Sequence, residues 1–421
     1  MIERIKSQNW ARFFGIFLFI NMMAAGYFYN LTFIQLGLED LGIRILKLSA
    51  EQVARNIAIL AVITCIVAIG FGYWMQKHGV CKKFHFKLKA AFLVVLCQTL
   101  LTGLSSNIQN EIFFIIWLIA VSFTLGMGVP VMFSMAIDLV PVRMRGLSAA
   151  LITALAYFLA NILPTAWTFE SFQLQSMGLL LGGAIGMGIL AFMKHPWLDA
   201  LARQHTLPEF SVGRFVKHNQ AKGTSPNKSM IGLILTMFGI YFVDSLGFLR
   251  LLKTPLYMDS AWQSPDFNVR LFIAGTHIVG ALLTGILYGA LHRRSLFLWI
   301  FGIFALVHLQ YSFHIRIGSE QAALSMPMLY ALVVSMYTVL SFALWADLST
   351  PKNICLHSAL GVALSGWTAT FLSTALAVNW QHQLTLENHI QIVDALAILL
   401  FLIMLFLIYV QPKAKQNENL K

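Results

Sequence analysis

Charged residues are scarce in this chain. Only 11% of its 421 residues are Asp, Glu, Lys or Arg, while 58% are hydrophobic. A soluble domain carries roughly a quarter charged residues, so this chain lacks the polar surface that contact with water on all sides requires. The composition excludes an ordinary soluble globular protein and indicates that lipid is the main solvent.

Motifs of known chemistry are also missing. Cysteine occurs only four times, without a Cys-x-x-Cys pair or a Cys/His cluster of metal-binding spacing. No His-Glu-x-x-His, phosphate-binding loop or Gly-x-Ser-x-Gly motif occurs. We therefore expect no metal, no cofactor and no enzymatic activity. Because Cys65 and Cys97 fall in predicted spans and Cys81 and Cys355 on the predicted inner side, we also expect no structural disulfide.

Long uncharged runs recur along the whole sequence. A bilayer core of about 30 Å needs about 20 apolar residues in a helix, and only helices or closed barrels satisfy every backbone hydrogen bond in hydrocarbon. The runs are continuous, unlike the roughly ten-residue alternating strands of a barrel, which favours helices. The first run is too long for a signal peptide and lacks a small-residue cleavage site, so it is predicted to be an uncleaved span. The predicted spans are 13–35, 52–75, 88–105, 111–135, 147–166, 175–193, 230–252, 268–290, 296–314, 326–346, 355–378 and 391–410.

Basic residues are distributed unevenly between the two sides of the predicted membrane. All but seven of the 29 Lys and Arg residues lie on one side, the seven being Arg44, Lys47, Arg55, Arg250, Lys253, Arg270 and Arg316. Positively charged loops remain in the cytoplasm, so we predict a multi-pass protein of the cell inner membrane with both termini cytoplasmic. The net charge of +12 is then a topology signal with some attraction to anionic lipid headgroups. Nucleic-acid binding is not expected.

A polar segment containing Pro and Gly divides the chain. It predicts an N-terminal six-helix half at 1–193, a cytoplasmic linker at 194–229, a C-terminal six-helix half at 230–410 and a cytoplasmic tail at 411–421. The sequence Asp138-Leu-Val-Pro at the end of span four has a counterpart, Asp347-Leu-Ser-Thr-Pro, at the end of span ten. We therefore predict an all-α membrane protein with twelve transmembrane helices, in two six-helix halves related by pseudo-two-fold symmetry. Parallel repeats of this kind place a binding site between the halves at mid-membrane.

The loop after the second span resembles that of the major facilitator superfamily, which reads Gly-x-x-x-Asp-Arg-x-Gly-Arg. Gly72, Lys77 and Gly79 match its two glycines and a basic position, whereas Gln76 replaces the acid and Val80 the last arginine. The fourth-span ending of the family is matched by Pro130, Asp138, Pro141, Arg145 and Gly146. Two signatures differ: the intramembrane arginine of proton-coupled members would fall near Leu118, and the antiporter pattern of span five is replaced by Asn161-Ile-Leu-Pro.

The resemblance implies a conformational latch on the inner side, formed by Gly72, Lys77, Gly79, Asp138 and Arg145. Asp138 is expected to meet the basic end of the loop after span two, with Lys77 or Arg145 as its partner. In the family this contact holds the halves closed on the cytoplasmic side. The alternative is a solvated charge at a helix end, which is worth under about 1 kcal/mol.

Asp244 is an acidic residue that falls well within a predicted span, away from its ends. It lies about 21 Å along span seven at about 1.5 Å per residue. An ionisable group at that depth is costly unless it faces a cavity or a partner, so it is a candidate site for a substrate or an ion. The alternative is a position near the interface, paired with Lys253 or Arg250.

Four uncharged polar residues are further candidates for the binding site. Asn21 on span one and His277 on span eight interrupt apolar stretches, on helices that line the cavity in the resembled family. Tyr157 and Asn161 are spaced i, i+4 on span five and share a face. The alternative is that such groups make interhelical hydrogen bonds worth under about 2 kcal/mol, or that Tyr157 only packs.

These features favour a secondary active transporter that works by alternating access, because no nucleotide-binding motif is present. We expect a monomer in the lipid bilayer that carries a small neutral, weakly cationic or amphipathic organic solute, with protons as the candidate coupling ion. Charged substrates usually require buried counter-charges, and Asp244 is the buried acid that the sequence shows. The alternatives are a uniporter, or a non-transporting receptor or membrane-embedded enzyme of the same fold.

Overall fold

The computed structural model describes residues 2–163, 166–216, 228–291, 293–318 and 322–409. Within these ranges, twelve helices are long and apolar enough to cross a membrane, as the sequence predicted. The tail predicted at 411–421 and part of the predicted linker lie outside the described residues. In chain order the spanning helices are α1 (Trp10–Ile45), α2 (Ala50–Lys77), α3 (Phe84–Asn107), α4 (Glu111–Leu139), α5 (Val142–Ile162), α6 (Phe169–Phe192), α7 (Met230–Leu252), α8 (Phe267–Ala290), α9 (Arg294–Ile317), α10 (Ser325–Asp347), α11 (Ile354–Trp380) and α12 (Leu386–Leu407).

The connections between these helices lie alternately at two ends of the bundle. One end, here called the linker face, carries the segment between α6 and α7 and the ends of α4 and α10. The other end, the far face, carries the α1–α2 and α7–α8 connections, and there Arg55 of α2 pairs with Glu111 of α4 at 2.6 Å. By the distribution of Lys and Arg, the linker face is the side predicted to be cytoplasmic.

Helix α1 reaches Ile45, well past the end predicted at residue 35. Two of its segments, Asn30–Gly37 and Leu41–Ile45, are π-helical. The prediction ended the span before the charged residues Glu39 and Asp40. Both remain helical because each has a basic partner: Glu39 pairs with Lys253, and Asp40 pairs with Arg44 at 2.8 Å.

Polar caps set where several far-face helices begin. Ser49 and Gln52 form a reciprocal capping box at the start of α2, and Asn110 and Thr168 cap α4 and α6. At the linker face, α2 is followed by Gly79 with φ of +66°, a left-handed conformation that glycine adopts without steric cost. Gly79 therefore has a local role in turning the chain toward α3.

The helices differ in how deeply they are buried. In an apolar 18-residue stretch of α10 and of α11, 78% and 72% of the residues are buried, whereas only 22% are buried in the corresponding stretches of α6 and α12. The outward side chains of the peripheral helices are apolar, as with Leu174 and Ile185 of α6. These two helices supply lipid-facing surface, and α10 and α11 stand at the centre.

The two halves pack through α5 against α8 and through α2 against α11. A Cβ atom on Gly146 would lie 3.1 Å from the carbonyl oxygen of Gly285, and one on Gly72 would lie 2.8 Å from that of Cys355. Small residues let helix backbones approach closely. Gly72 and Gly146, both identified by motif, are therefore contact positions between the halves.

A short helix, Pro196–Arg203, follows α6. Its Trp197 meets Phe14 of α1 edge to face, with ring centroids 4.6 Å apart. Beyond it, the backbone amides of Gly213 and Phe215 donate to the carbonyl oxygens of Ser349 and Asp347, at 3.0 and 2.9 Å. The described part of the linker thus attaches to the end of α10.

Candidate functional site

A cavity lies between the two halves, midway along the helices. It has two adjoining lobes. The first lobe is bordered by α1, α3, α4, α7, α10 and α11, and the second by α1, α5, α7, α8, α10 and α11. The lobes share Tyr27, Leu31, Gln35, Tyr241 and Thr370. Because each half supplies wall residues, the cavity depends on how the halves meet.

Asp244 of α7 lines the second lobe and is 7% exposed. The hydroxyl of Tyr330 on α10 donates to its Oδ1 at 2.5 Å, and Tyr337 of α10 lines the same lobe. The alternative that pairs Asp244 with Arg250 or Lys253 is wrong. Those two side chains lie at the far face, where Arg250 donates to the carbonyl oxygens of Gln381 and Leu384 and Lys253 pairs with Glu39.

His277 of α8 lies in the wall of the second lobe. Its Nε2 accepts a hydrogen bond from the indole of Trp262 at 3.3 Å, so this nitrogen carries no proton. Nδ1 therefore carries the proton and donates to Oγ of Ser335 at 2.8 Å. This bonding pattern defines a neutral imidazole with both nitrogens engaged, so His277 adds no charge to the cavity.

Tyr157 and Asn161 of α5 also line the second lobe. The Tyr157 hydroxyl lies 2.9 Å from that of Tyr27 and 3.2 Å from Oγ1 of Thr338, and its ring stacks on His277 with centroids 4.4 Å apart. Asn161 donates to the Tyr157 carbonyl at 2.8 Å, and its buried Oδ1 has no hydrogen-bond partner among the described residues. Tyr157 therefore joins groups from both halves, and Asn161 offers an acceptor.

Asn21 does not join this group, contrary to the prediction. Its side chain is exposed and donates to the carbonyl oxygen of Phe17 in the preceding turn, at 2.8 Å. At about 100° per residue, Asn21 lies about 200° around α1 from Met23, which lines the first lobe. A polar residue at mid-span was a signal of depth, but depth did not tell which side of the helix faces the cavity.

Tyrosines are the site residues that sequence reasoning missed. Five of the eleven in the chain line the lobes: Tyr27, Tyr157, Tyr241, Tyr330 and Tyr337, and only one of these was considered. The spacing of Tyr330 and Tyr337, two helical turns apart on one face, was a usable signal. Composition concealed the rest, because tyrosine counts as apolar in a search for spans.

The linker face is closed by a cluster centred on Asp347 of α10, whose side chain is fully buried. Its carboxylate accepts hydrogen bonds from Arg145 of α5 at 3.0 Å, from Arg214 of the linker at 2.8 Å and from the Tyr288 hydroxyl of α8 at 3.0 Å. Arg145 also donates to the carbonyl oxygens of Ala346 and Phe210. Burial opposes the charge of Arg214, but the nearby Asp347 carboxylate outweighs it and raises the pKa of this guanidinium. The cluster joins the N-terminal half, the linker and the C-terminal half.

The prediction for the partner of Asp138 is wrong. Its buried carboxylate pairs with Lys87 of α3, which also donates to the Ser134 carbonyl at 3.2 Å, and Nδ1 of His205 lies 3.2 Å from Oδ1. Lys77 is exposed at the end of α2, and Arg145 is engaged by Asp347. Lys87 was placed in the inner loop, although it lies in the first turn of α3 and points into the bundle. Asp138 therefore stabilises its own half rather than tying the halves together.

Cys81 and Cys355 are joined by a disulfide, contrary to the expectation of none. Cys81 follows α2 and Cys355 begins α11, and their Cα atoms are 6.0 Å apart. The expectation was based on cellular compartment and ignored the packing of α2 on α11. The pair connects the two halves at the linker face.

The halves are also joined at the far face. Lys253, just past α7, pairs with Glu39 of α1 and donates to Oε1 of Gln381 at 2.9 Å. Ion pairs thus cross between the halves at both ends of the cavity. Within the described ranges, His, Cys, Asp and Glu form no group of three or more that could hold a metal ion.

Comparisons with known proteins show similarity in structure. No family model matches the chain, and no curated protein matches it in sequence. The proton:xylose symporter XylE, solved with 6-bromo-6-deoxy-D-glucose, aligns with a TM-score of 0.64 at 13% identity, over 94% of this chain and 96% of that chain. A bacterial homologue of the iron transporter ferroportin, in its outward-facing state, aligns with a TM-score of 0.59 at 13% identity, over 94% and 98%. The human organic anion transporter MFSD10 aligns with a TM-score of 0.55 at 13% identity, over 94% of this chain and 99% of that chain. At this identity the likeness shows the fold, which is that of the major facilitator superfamily.

Proposed function

We propose that this chain, which has the major facilitator fold, is a secondary transporter that moves a small organic solute across a membrane by alternating access. In this proposal the halves at 1–193 and 230–410, joined by the linker at 194–229, rock about the central cavity. The linker face, both termini and the tail at 411–421 lie in the cytoplasm, and the membrane is a bacterial-type inner membrane. The transporter acts as a monomer.

The observation that carries the proposal is a cavity between two halves that are tied at both ends. Arg145 and Asp347 join the halves at the linker face, and Glu39 and Lys253 join them at the far face. Alternating access requires contacts on each side of a central site that break in turn. Reversible ion pairs can supply such contacts, and the sequence shows no nucleotide-binding motif that would supply energy instead.

An acyl-transfer enzyme is disfavoured by the bonding of His277. A histidine beside a serine is the arrangement that activates a nucleophile, and Ser335 lies 2.8 Å from Nδ1 of His277. Because Nε2 accepts from Trp262, Nδ1 carries the proton and donates to Ser335. An imidazole bonded in this way is not a base toward that hydroxyl.

Asp244 is the candidate coupling group, because it is the carboxylate in the cavity wall. If protons drive transport, Asp244→Asn should abolish gradient-driven accumulation and keep downhill exchange. Asp394→Asn is a matched control, since Asp394 is a carboxylate of α12 that lines neither lobe. Accumulation by Asp244→Asn equal to that of the parent would identify a uniporter or coupling through another group.

Reciprocal accessibility tests alternating access directly. Single cysteines would replace Ser148, which lies near Arg145 at the linker face, and Leu36, which lines the second lobe toward the far face. The purified chain in liposomes is labelled with a membrane-impermeant maleimide while a panel of organic solutes is screened for counterflow. A transported solute should change the two labelling rates in opposite directions. No counterflow, together with rates that never vary reciprocally, would overturn the proposal.

A further inference from the structure

The buried acidic residues differ in their partners. In the described part of the chain four acids are buried: Glu39, Asp138, Asp244 and Asp347. Three have a basic partner, namely Lys253, Lys87 and Arg145 respectively. Asp244 makes no ion pair with any described residue and accepts a hydrogen bond from the Tyr330 hydroxyl. A carboxylate removed from water is costly unless a cation compensates it, so the wall of the second lobe carries an unbalanced negative group.

Aromatic rings surround this carboxylate. Tyr330 stacks on Phe248 with centroids 5.5 Å apart, and Trp262 meets Tyr330 edge to face at 5.6 Å. On the other side, Tyr241 meets Tyr337 edge to face at 4.9 Å. All five rings line the second lobe. Aromatic faces attract weakly hydrated cations such as substituted ammonium groups, so the rings and the carboxylate favour the same kind of ligand.

Other charge classes fit this wall less well. Among the described residues no Lys or Arg lines either lobe, and His277 is neutral, so an anion would meet Asp244 without a counter-charge. A small metal ion requires several oxygen ligands or His/Cys donors, and no such group exists within the described ranges. The single carboxylate matches one positive charge on a ligand that is otherwise apolar.

We infer that the cargo is a monovalent organic ammonium with apolar or aromatic substituents, bound with its nitrogen against Asp244 and among the rings of Phe248, Trp262, Tyr330 and Tyr337. This inference rests on the proposed transport function and specifies its substrate class. The apolar substituents extend into the first lobe, where Met23, Leu125, Val129 and Phe133 line the wall.

The test compares two probes of equal shape and different charge. Benzyltrimethylammonium and its uncharged carbon isostere neopentylbenzene are titrated against the full chain in detergent, with benzenesulfonate as the anionic probe. We expect the ammonium to bind at least tenfold more tightly than the isostere and the sulfonate not to bind. Asp244→Asn should weaken ammonium binding at least tenfold and leave the isostere unchanged, while Asp394→Asn should change neither.

A second variant keeps the test decisive if Asp244→Asn does not fold. Trp262→Leu retains the carboxylate and removes one aromatic face, so ammonium affinity should fall about threefold or more while isostere affinity stays within twofold. Equal affinity for ammonium and isostere in the parent, or full ammonium affinity in Asp244→Asn, would overturn the substrate class. If an uncharged solute changed the two labelling rates in opposite directions, the transport proposal would stand and only the ammonium substrate class would be rejected. Ammonium binding without reciprocal labelling would reject transport instead.

Discussion

Neutralising Asp347 should open the linker face. Its carboxylate is fully buried and accepts hydrogen bonds from Arg145, Arg214 and Tyr288. Asp347→Asn keeps the size of the side chain but removes the charge that compensates two guanidinium groups. Because Arg145 belongs to the other half and its side chain is only 2% exposed, it would be left buried without a counter-charge as long as the linker face stays closed.

The size of the effect follows from the burial of each partner. Removing one member of a buried ion pair typically costs about 3–5 kcal/mol. The side chain of Arg214 is 25% exposed, so water compensates part of its charge, and Arg145 keeps two carbonyl acceptors. We therefore expect the low end, about 3 kcal/mol. Opening the linker face hydrates Arg145 and relieves this cost, so the equilibrium should shift toward the open state by about a hundredfold, at about 1.4 kcal/mol per tenfold.

The assay is maleimide labelling of a cysteine at Ser148, a position that is 2% exposed in this structure. The background lacks the four native cysteines, so the disulfide between the halves does not contribute. Labelling should accelerate strongly in Asp347→Asn and stay unchanged in Asp199→Asn, which removes an exposed carboxylate of the same face that contacts His85. Equal labelling rates in Asp347→Asn and the parent would refute the role assigned to this cluster.

Three further predictions concern the contacts between the halves and the attachment of the linker to α10. Glu39→Gln should open the far face only a few-fold, because Lys253 is partly exposed and such pairs contribute about 1 kcal/mol or less; an unchanged labelling rate at the far face would count against the contact. Gly213→Ala should release the linker from α10, because the added Cβ would collide with the carbonyl oxygen of Asp347. Limited proteolysis should then cut the linker faster. Gly289→Ala is the control and should leave the rate unchanged, because a Cβ there would meet open space. Reducing the Cys81–Cys355 disulfide should permit transport, and a mild oxidant should stop it again by re-forming the bond between the halves; a Cys81→Ser variant that remained sensitive to the oxidant would contradict this.

Local chemistry explains what could be predicted from the sequence. A span must be long and apolar wherever it lies in the bundle, so the twelve helices could be recognised without knowing their neighbours. Asp244 was detected in the same way, because a carboxylate within such a run is visible as an exception. The rule failed where a charge had a partner distant in sequence, as with Glu39, which Lys253 keeps within α1.

The repeated motif at Asp138 and Asp347 shows what could not be predicted from the sequence. Asp138 and Asp347 end equivalent helices and carry similar motifs, and the family resemblance implied a latch at the first. In the structure Asp138 pairs with Lys87 inside its own half, whereas Asp347 binds Arg145 across the halves. The motif placed an acid at each position, but it did not determine that the acid is buried or which basic residue pairs with it.

By itself, therefore, the sequence determined the helices, their alternation between two sides and the depth of the polar residues along each span. These depend on transfer between water and lipid, which each segment experiences separately. Only the tertiary structure decided which side of a helix faces the cavity, excluding Asn21 and adding Tyr330 and Tyr337 beside Asp244. Those assignments depend on helix rotation and on partners from the other half, and both are set by packing between segments distant in the chain.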